Sequence, residues 1–437
     1  MRTKHTALAA AALCAGALLL QPVTAREERA APTLDKRAVP AFHAIELSGA
    51  FRTVVSEGAP RLELSGTPQE LAEIESEVRG GTLVVRQKSR WGIHVGPDRK
   101  REQVVVRIAA PQLRSLHTSG SGDVDLEQVG GPRFSLSSAG PGDLQARGAV
   151  RELVVTSSGS GDLDLRRLKA DKLDLAQSGP GDVQVSGIGN ALSVRLSGAG
   201  DLEADDLRLA RAVVQVGGPG NVRLRGSTRE LRAEVSGSGD FEGCDLSSEQ
   251  VSTVQRGPGN ACVAGNIRQF EAEVRGSGDL EARGLQAARA VLHMSGPGNA
   301  VLSDTADELR AVVKGSGTLE AERLAVRKAT IDGSGPGDVA LAKVSDTLDA
   351  ALSGSGGLST VVEGKRVLLK MRGPGNVRLE GQAEHIQADL SGSGALQARR
   401  LTVRQADIEV RGPGGATVNH VRDGEVALAE RGRRQVQ

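Results

Sequence analysis

Sixteen copies of the string Gly-x-Gly with Ser, Ala or Pro at x run from Gly120 to Gly412, all at intervals of 19 or 20 residues. The residue between the two glycines alternates. It is Ser at Ser121 and Ser160, once Ala at Ala199, and Pro at Pro141, Pro180 and Pro219. The sequence period is therefore about 39 residues, built from two unlike halves. A fixed period of this length means a stack of supersecondary units, each able to bury its apolar face only against its neighbours.

The segments between the glycine strings alternate apolar and polar residues with period two, as in Val183/Val185, Val222/Leu224 and Leu192/Val194/Leu196. That is the pattern of a half-buried strand. Short strands at fixed spacing with Gly at each corner predict an all-β chain, a parallel β-solenoid. Strands of about five residues are expected. Gly is expected at the corners because they need φ > 0, with Pro fixing φ beside it. Gly148, Gly187, Gly226, Gly265 and Gly381 mark a second corner. Two rung lengths fit. A 39-residue rung stacks like turns on like and is favoured by the strict alternation. A rung of about 20 residues mixes the two turns in one column, and a Cys244–Cys262 disulfide would favour it.

Composition agrees with a thin layered core. Gly numbers 57 of 437 residues, and the aromatics are five Phe and one Trp, with no Tyr. Glycine lacks the three-residue period that collagen requires. The formal net charge is +1, so there is no basic surplus of the kind that holds nucleic acid through its phosphates. Residues 1–25 read as an export signal: Arg2 and Lys4, an apolar run from Ala7 to Leu20, then small residues ending at Ala25. No further apolar run of spanning length follows. An exported chain without a transmembrane segment after cleavage is expected, in the periplasm, at the cell surface or secreted. Residues 26–38 read as a flexible leader, 39–116 as a capping segment, 117–430 as the solenoid and 431–437 as a tail. Within the cap, Thr67 and Pro68 open a helix whose apolar face is Leu71, Ile74 and Val78, stopped by Gly80-Gly81. Residues 88–100 read as a polar loop.

The residues that could carry chemistry are few. Asp123, Asp143, Asp162, Asp182, Asp201, Asp240, Asp279 and Asp338 follow the glycine strings. Stacked, they form a candidate cation ladder that Ca²⁺ would relieve of repulsion. The competing reading has the Asp and Asn side chains bond corner N–H groups, and Thr318, Gly357, Ala395 and Gly415 at equivalent places fit it better. No helix follows any Gly-x-Gly-x-x-Gly, so no phosphate cradle is expected. His43, His94, His117, His293, His385 and His420 lack metal-ligand spacing. A carbohydrate-active β-helix enzyme is the alternative class. It needs sugar-stacking aromatics, yet Phe134, Phe241 and Phe270 fall at inward positions, leaving Trp91. No catalytic residue, cofactor or enzyme activity is therefore assigned.

Two blocks of residues resemble a known family. One is Phe42 to Gly49, then Gly58, Leu62, Gly81 to Val85 and Pro111 to Leu113, leading into Ser119-Gly120-Ser121-Gly122-Asp123. The other is the recurring Ser-Gly-Ser-Gly-Asp string. Together they resemble bacterial exported proteins with the head GIN domain, the "putative auto-transporter adhesins". The regular Pro half-repeat departs from that pattern. The resemblance implies a β-solenoid at the cell envelope. It also implies an adhesin-like structural or interaction role, toward a protein or polysaccharide partner, without chemistry.

Overall fold

The computed structural model describes residues 33–88, 103–422 and 425–431. Residues 1–25, expected as an export signal, and Trp91, His94 and the last six residues lie outside these. From Val124 onward the chain winds as a parallel β-solenoid of about 15 turns spaced about 20 residues apart. Each turn pairs with the next in parallel register: Val222 lies on Leu202, Phe241 on Val222 and Ala261 on Phe241. The 39-residue sequence unit is thus two rungs, and the longer rung favoured by the alternation is corrected.

Side-chain direction sets the cross-section. In one rung Leu202 and Ala204 point inward, then Leu207 and Leu209, then Ala212, Val214 and Val216. Between these runs two successive residues face outward, Asp205-Asp206 and Ala210-Arg211, so the inward phase is reset at each bend. The hydrogen-bonded ladder carries on past these bends with a slip in register, as between Ala204 and Leu207. Hence most solenoid strands run 14 or 15 residues, as Leu202–Val216 and Val222–Val235 do, rather than the five expected; one rung is divided at Gly187 into Val183–Ser186 and Ile188–Leu196. The inward residues merge into one continuous apolar core from Phe42 to Val418. Phe134, Phe241 and Phe270 belong to it, at most 2% exposed.

Glycine serves the two corners for different reasons. Gly148, Gly187, Gly226, Gly265 and Gly381 have φ between +75° and +140°, the left-handed region that other L-residues avoid. Asp206 (φ 51°) and Asp304 (φ 87°) enter the same region without glycine's freedom. The Gly-x-Gly glycines do not. There the need is space: a Cβ on Gly140, Gly179 or Gly218 would collide with the backbone carbonyl of the glycine one rung below. The φ > 0 expected at these corners is therefore replaced by close backbone stacking.

The N-terminal segment extends the solenoid and then closes it. Arg52–Glu57 lies parallel under Val124 to Leu126, and Ser115–Thr118 lies parallel under Ser135 to Ser138. Val105–Ala110 continues the first stack and Ala44–Ser48 the second, still in parallel. Pairing then turns antiparallel, with Arg61–Gly66 and Thr33–Arg37 ending the first stack and Ile74–Arg79 the second, beyond Thr82–Gln87. Thr33–Arg37, expected as flexible leader, is therefore an edge strand. The end strands carry Asp35, Lys36, Glu75 and Glu77, charges that discourage further strand addition.

The expected helix is a single turn, Pro68–Leu71. Thr67 and Glu70 form a reciprocal capping box at its start. Ile74 and Val78 belong to the strand Ile74–Arg79 instead. Their spacing of four satisfies period two as well as a helical turn. Gly80 and Gly81, at φ 56° and 77°, make the two-residue hairpin turn that joins it to Thr82–Gln87.

Candidate interaction surface

The acidic residues after the glycine strings come together in one outer column. Each Oδ1 accepts the backbone N–H of the same position one rung on. Asp143 donates to Asp123 (3.2 Å), Asp162 to Asp143 (3.0 Å), Asp182 to Asp162 (2.9 Å) and Asp201 to Asp182 (2.8 Å). The chain of bonds continues through Asn221, Asp240, Asn260, Asp279 and Asn299 to the N–H of Thr318 (2.9 Å). It resumes from Asp338 to Gly357 and from Asn376 to Ala395. These side chains bond across rungs rather than within their own turn. A rung length of 20 is the signal that would have exposed this in the sequence.

The outer faces carry ionic pairs between adjacent rungs. Arg225 gathers Glu203 (2.5 Å) and Asp205 (3.0 Å) from the rung on one side and Asp245 (3.7 Å) from the rung on the other. Hydrogen bonding to Glu203, then to Asp205, pushes its guanidinium above its ordinary value. Asp164 is held below the ordinary carboxylate range by hydrogen bonds from Arg166 at 2.7 and 2.9 Å. Arg86 does the same to Glu75, and Arg411 to Glu409. All are exposed or half-buried arginine–carboxylate pairs at the surface, worth little each in water. None sits in a cleft of the kind where shifted groups serve catalysis.

Cys244 and Cys262 form a disulfide with Cα atoms 5.2 Å apart. With Glu281, 19 residues beyond Cys262, they make the one group of His, Cys, Asp or Glu donors close enough for a metal among the described residues. Surface depressions are broad and open. One of about 600 Å³ crosses rungs along the second bend, between Glu230, Gln250, Gln269 and Arg289. Another of about 580 Å³ lies where the cap meets the first rung, lined by Pro111, Leu113 and Pro132.

No curated protein matches the chain. Among solved structures it is similar to a "putative adhesin" from Parabacteroides distasonis (16% identity, 69% of this chain and 97% of that one, TM-score 0.32). It is also similar to a "putative adhesin" from Parabacteroides merdae (14%, 76% and 96%, TM-score 0.30). A third is a "putative lipid binding protein" from Parabacteroides distasonis (16%, 76% and 96%, TM-score 0.29). The family model described as "putative auto-transporter adhesin, head GIN domain" matches residues 41–244, 190–267, 227–300, 263–361 and 345–433, so the chain belongs to the head GIN domain family.

Proposed function

We propose that the protein is exported and acts at the cell envelope as a non-catalytic, adhesin-like scaffold that binds an extended surface partner, protein or polysaccharide. One observation carries this reading. The face formed by the third inward run presents outward side chains in columns, one per rung at the same height. In one column Asp174, Arg232, Glu271, Arg310 and Asp349 recur every second or third rung, with Ser193, Val213, Ser252, Val291 and Thr330 between them. A regular surface of this kind suits a partner that is itself long and repeating, because many weak polar contacts act together. The acidic corner column fits the same reading as a structural element, each carboxylate engaged by a backbone N–H.

The test uses cells fractionated into cytoplasm, periplasm and envelope, with mass analysis of the product. Export predicts a chain starting at Arg26; an unprocessed chain confined to the cytoplasm overturns the reading. For binding, charge reversals are placed separately in three thirds of the face: Asp174/Arg195, Glu271/Glu273 and Asp349/Lys370. Retention on isolated envelope material should fall a few-fold for each. Loss of all retention from one third with no effect of the other two would mean a single local site instead.

A further inference from the structure

We propose that Cys244, Cys262 and Glu281 form a thiol-gated site for a soft divalent cation of the zinc type, closed while the disulfide is intact and opened by a dithiol or phosphine reductant. The three residues come from three successive rungs. Glu242 pairs with Cys262, and Cys262 with Glu281, in register. Cys244 sits just beyond Gly243, where the register slips before Ser247, and this slip sets its side chain over Cys262. Cys262 Sγ lies 3.8 Å from Glu281 Oε2, and one donor atom from each of the three falls within 4.8 Å of the others. A tetrahedral zinc with Zn–S near 2.3 Å and Zn–O near 2.1 Å sets its S···S edge at about 3.8 Å and its S···O edge at about 3.6 Å. The sulfur–oxygen distance is therefore already that of two ligands on one metal. The two sulfurs have only to part once their bond is gone.

The surroundings suit such an ion. All three side chains are half-buried, so the site is reachable from solvent yet partly desolvated. Glu281 is gripped by Arg283 through two hydrogen bonds of 2.6 and 2.7 Å. That orients the carboxylate, and Oε2, which accepts one of these bonds, keeps its second lone pair for the Cys262 side. Two thiolates and one carboxylate around a 2+ ion leave one net negative charge, which Arg283 offsets. Soft thiolate donors favour zinc over calcium or magnesium. Three protein ligands leave the fourth position to water.

Opening the site is a two-electron step. A dithiol gives its electrons and two protons to the S–S bond and becomes a disulfide itself, whereas a phosphine gives the electron pair and leaves as its oxide, with oxygen and two protons supplied by water; either way two cysteine thiols result. Each thiol then loses its proton as the metal binds.

The test uses the full chain in a Cys14→Ser background, so that the pair supplies the only thiols. Protein reduced with a phosphine and cleared of it without air is titrated with zinc against a chromogenic chelator. The reduced form is expected to take up one zinc per chain with at least tenfold higher affinity than the oxidised form, which measures adventitious binding by surface acids. Cys244→Ser and Cys262→Ser should each fall to that baseline. Glu281→Gln should weaken uptake about tenfold. Cobalt in place of zinc should give a sulfur-to-metal charge-transfer band in the reduced form alone, a readout that needs no variant to fold. Equal uptake by reduced and oxidised protein, or no such band, overturns the site. Unchanged uptake by Glu281→Gln overturns the three-ligand assignment.

Discussion

Gly217 and Gly218 are neighbours in sequence, and the fold asks opposite things of them. An alanine Cβ at Gly217 would meet only the Leu196 carbonyl and the Ser236 hydroxyl, each at 3.7 Å, an ordinary contact. Ser178, Ser197 and Ser236 occupy the equivalent place in other rungs. Gly217→Ala should therefore raise stability by about 0.4–1 kcal/mol, by narrowing the freedom of the unfolded chain. At Gly218 the same atom would fall inside the backbone of Ser197 and Gly198 one rung below. Backbone gives way less than a side chain, so the two rungs must separate locally. The cost belongs at the upper end of the roughly 1–3 kcal/mol measured for overpacked sites. The two variants should thus differ by about 3.5–4 kcal/mol. Urea titration followed by far-ultraviolet circular dichroism reads this as midpoints displaced to opposite sides of the wild type. Both substitutions lie in the same rung, so incomplete cooperativity along the stack affects them alike. Equal midpoints would refute the claim that stacking distance, rather than corner conformation, demands glycine in this column.

Other outcomes follow from the same geometry. Asp201→Ala removes the acceptor for the Asn221 N–H at 2.7 Å and should cost about 1–2 kcal/mol by thermal melting, whereas Asp201→Asn should cost little. Asp182→Asn, the fourth of five consecutive carboxylates and flanked by Asp162 and Asp201, keeps the acceptor while removing repulsion on both sides. It should raise the melting midpoint at low salt, with the gain shrinking in 1 M salt. Asp164 titrates below its ordinary 3.8 in the folded chain. The stability it adds is present above the unfolded value and is lost as pH falls through the lower folded one. The advantage of wild type over Asp164→Asn should therefore be full at pH 7 and shrink below about pH 4, so that the two acid-titration curves converge there. Breaking the 18-residue Cys244–Cys262 loop with Cys262→Ser should lower stability by up to about 3 kcal/mol under oxidising conditions, with no difference between the proteins once both are reduced.

Much of the architecture was legible because inward residues at period two and fixed-interval glycines are direct consequences of stacking. Val222/Leu224 and Leu231/Ala233/Val235 read as inward, and all are buried. The second-corner glycines read as positive-φ positions, and all five are. Three things were not legible. Ile74 and Val78 fit two periods at once, and only the hairpin partner Thr82–Gln87 decides between them. Thr33–Arg37 has no strong strand pattern and is ordered by pairing with Arg61–Gly66, a contact of long range. The inter-rung bonding of the acidic column depends on rung length, which the alternation of Ser and Pro misdirected.

That misdirection has a physical origin. Pro141, Ser160, Pro180 and Pro219 all point to solvent, so the column loses little core contact when they alternate, and like need not sit on like. Charge is different. From Asp201 to Asn299 the corner column reads Asp, Asn, Asp, Asn, Asp, Asn. Carboxylates one rung apart, about 4.8 Å, repel by about 0.9 kcal/mol even in water. An intervening Asn doubles their separation to roughly the screening length of 0.1 M salt. It also donates its amide to the carboxylate below, Asn221 to Asp201 at 3.1 Å and Asn260 to Asp240 at 3.2 Å. Either side chain accepts the N–H from the next rung, so the ladder is unbroken. Between Asp201 and Asn299 a two-rung period in this column thus arises on a one-rung structure, because the column is better neutralised when every second carboxylate becomes an amide. From Asp123 to Asp201 the Ser and Pro alternation persists without the Asn, so the two alternations are separable. Asp182→Asn tests the electrostatic one alone: a lower midpoint at low salt would leave the two-rung period without this cause.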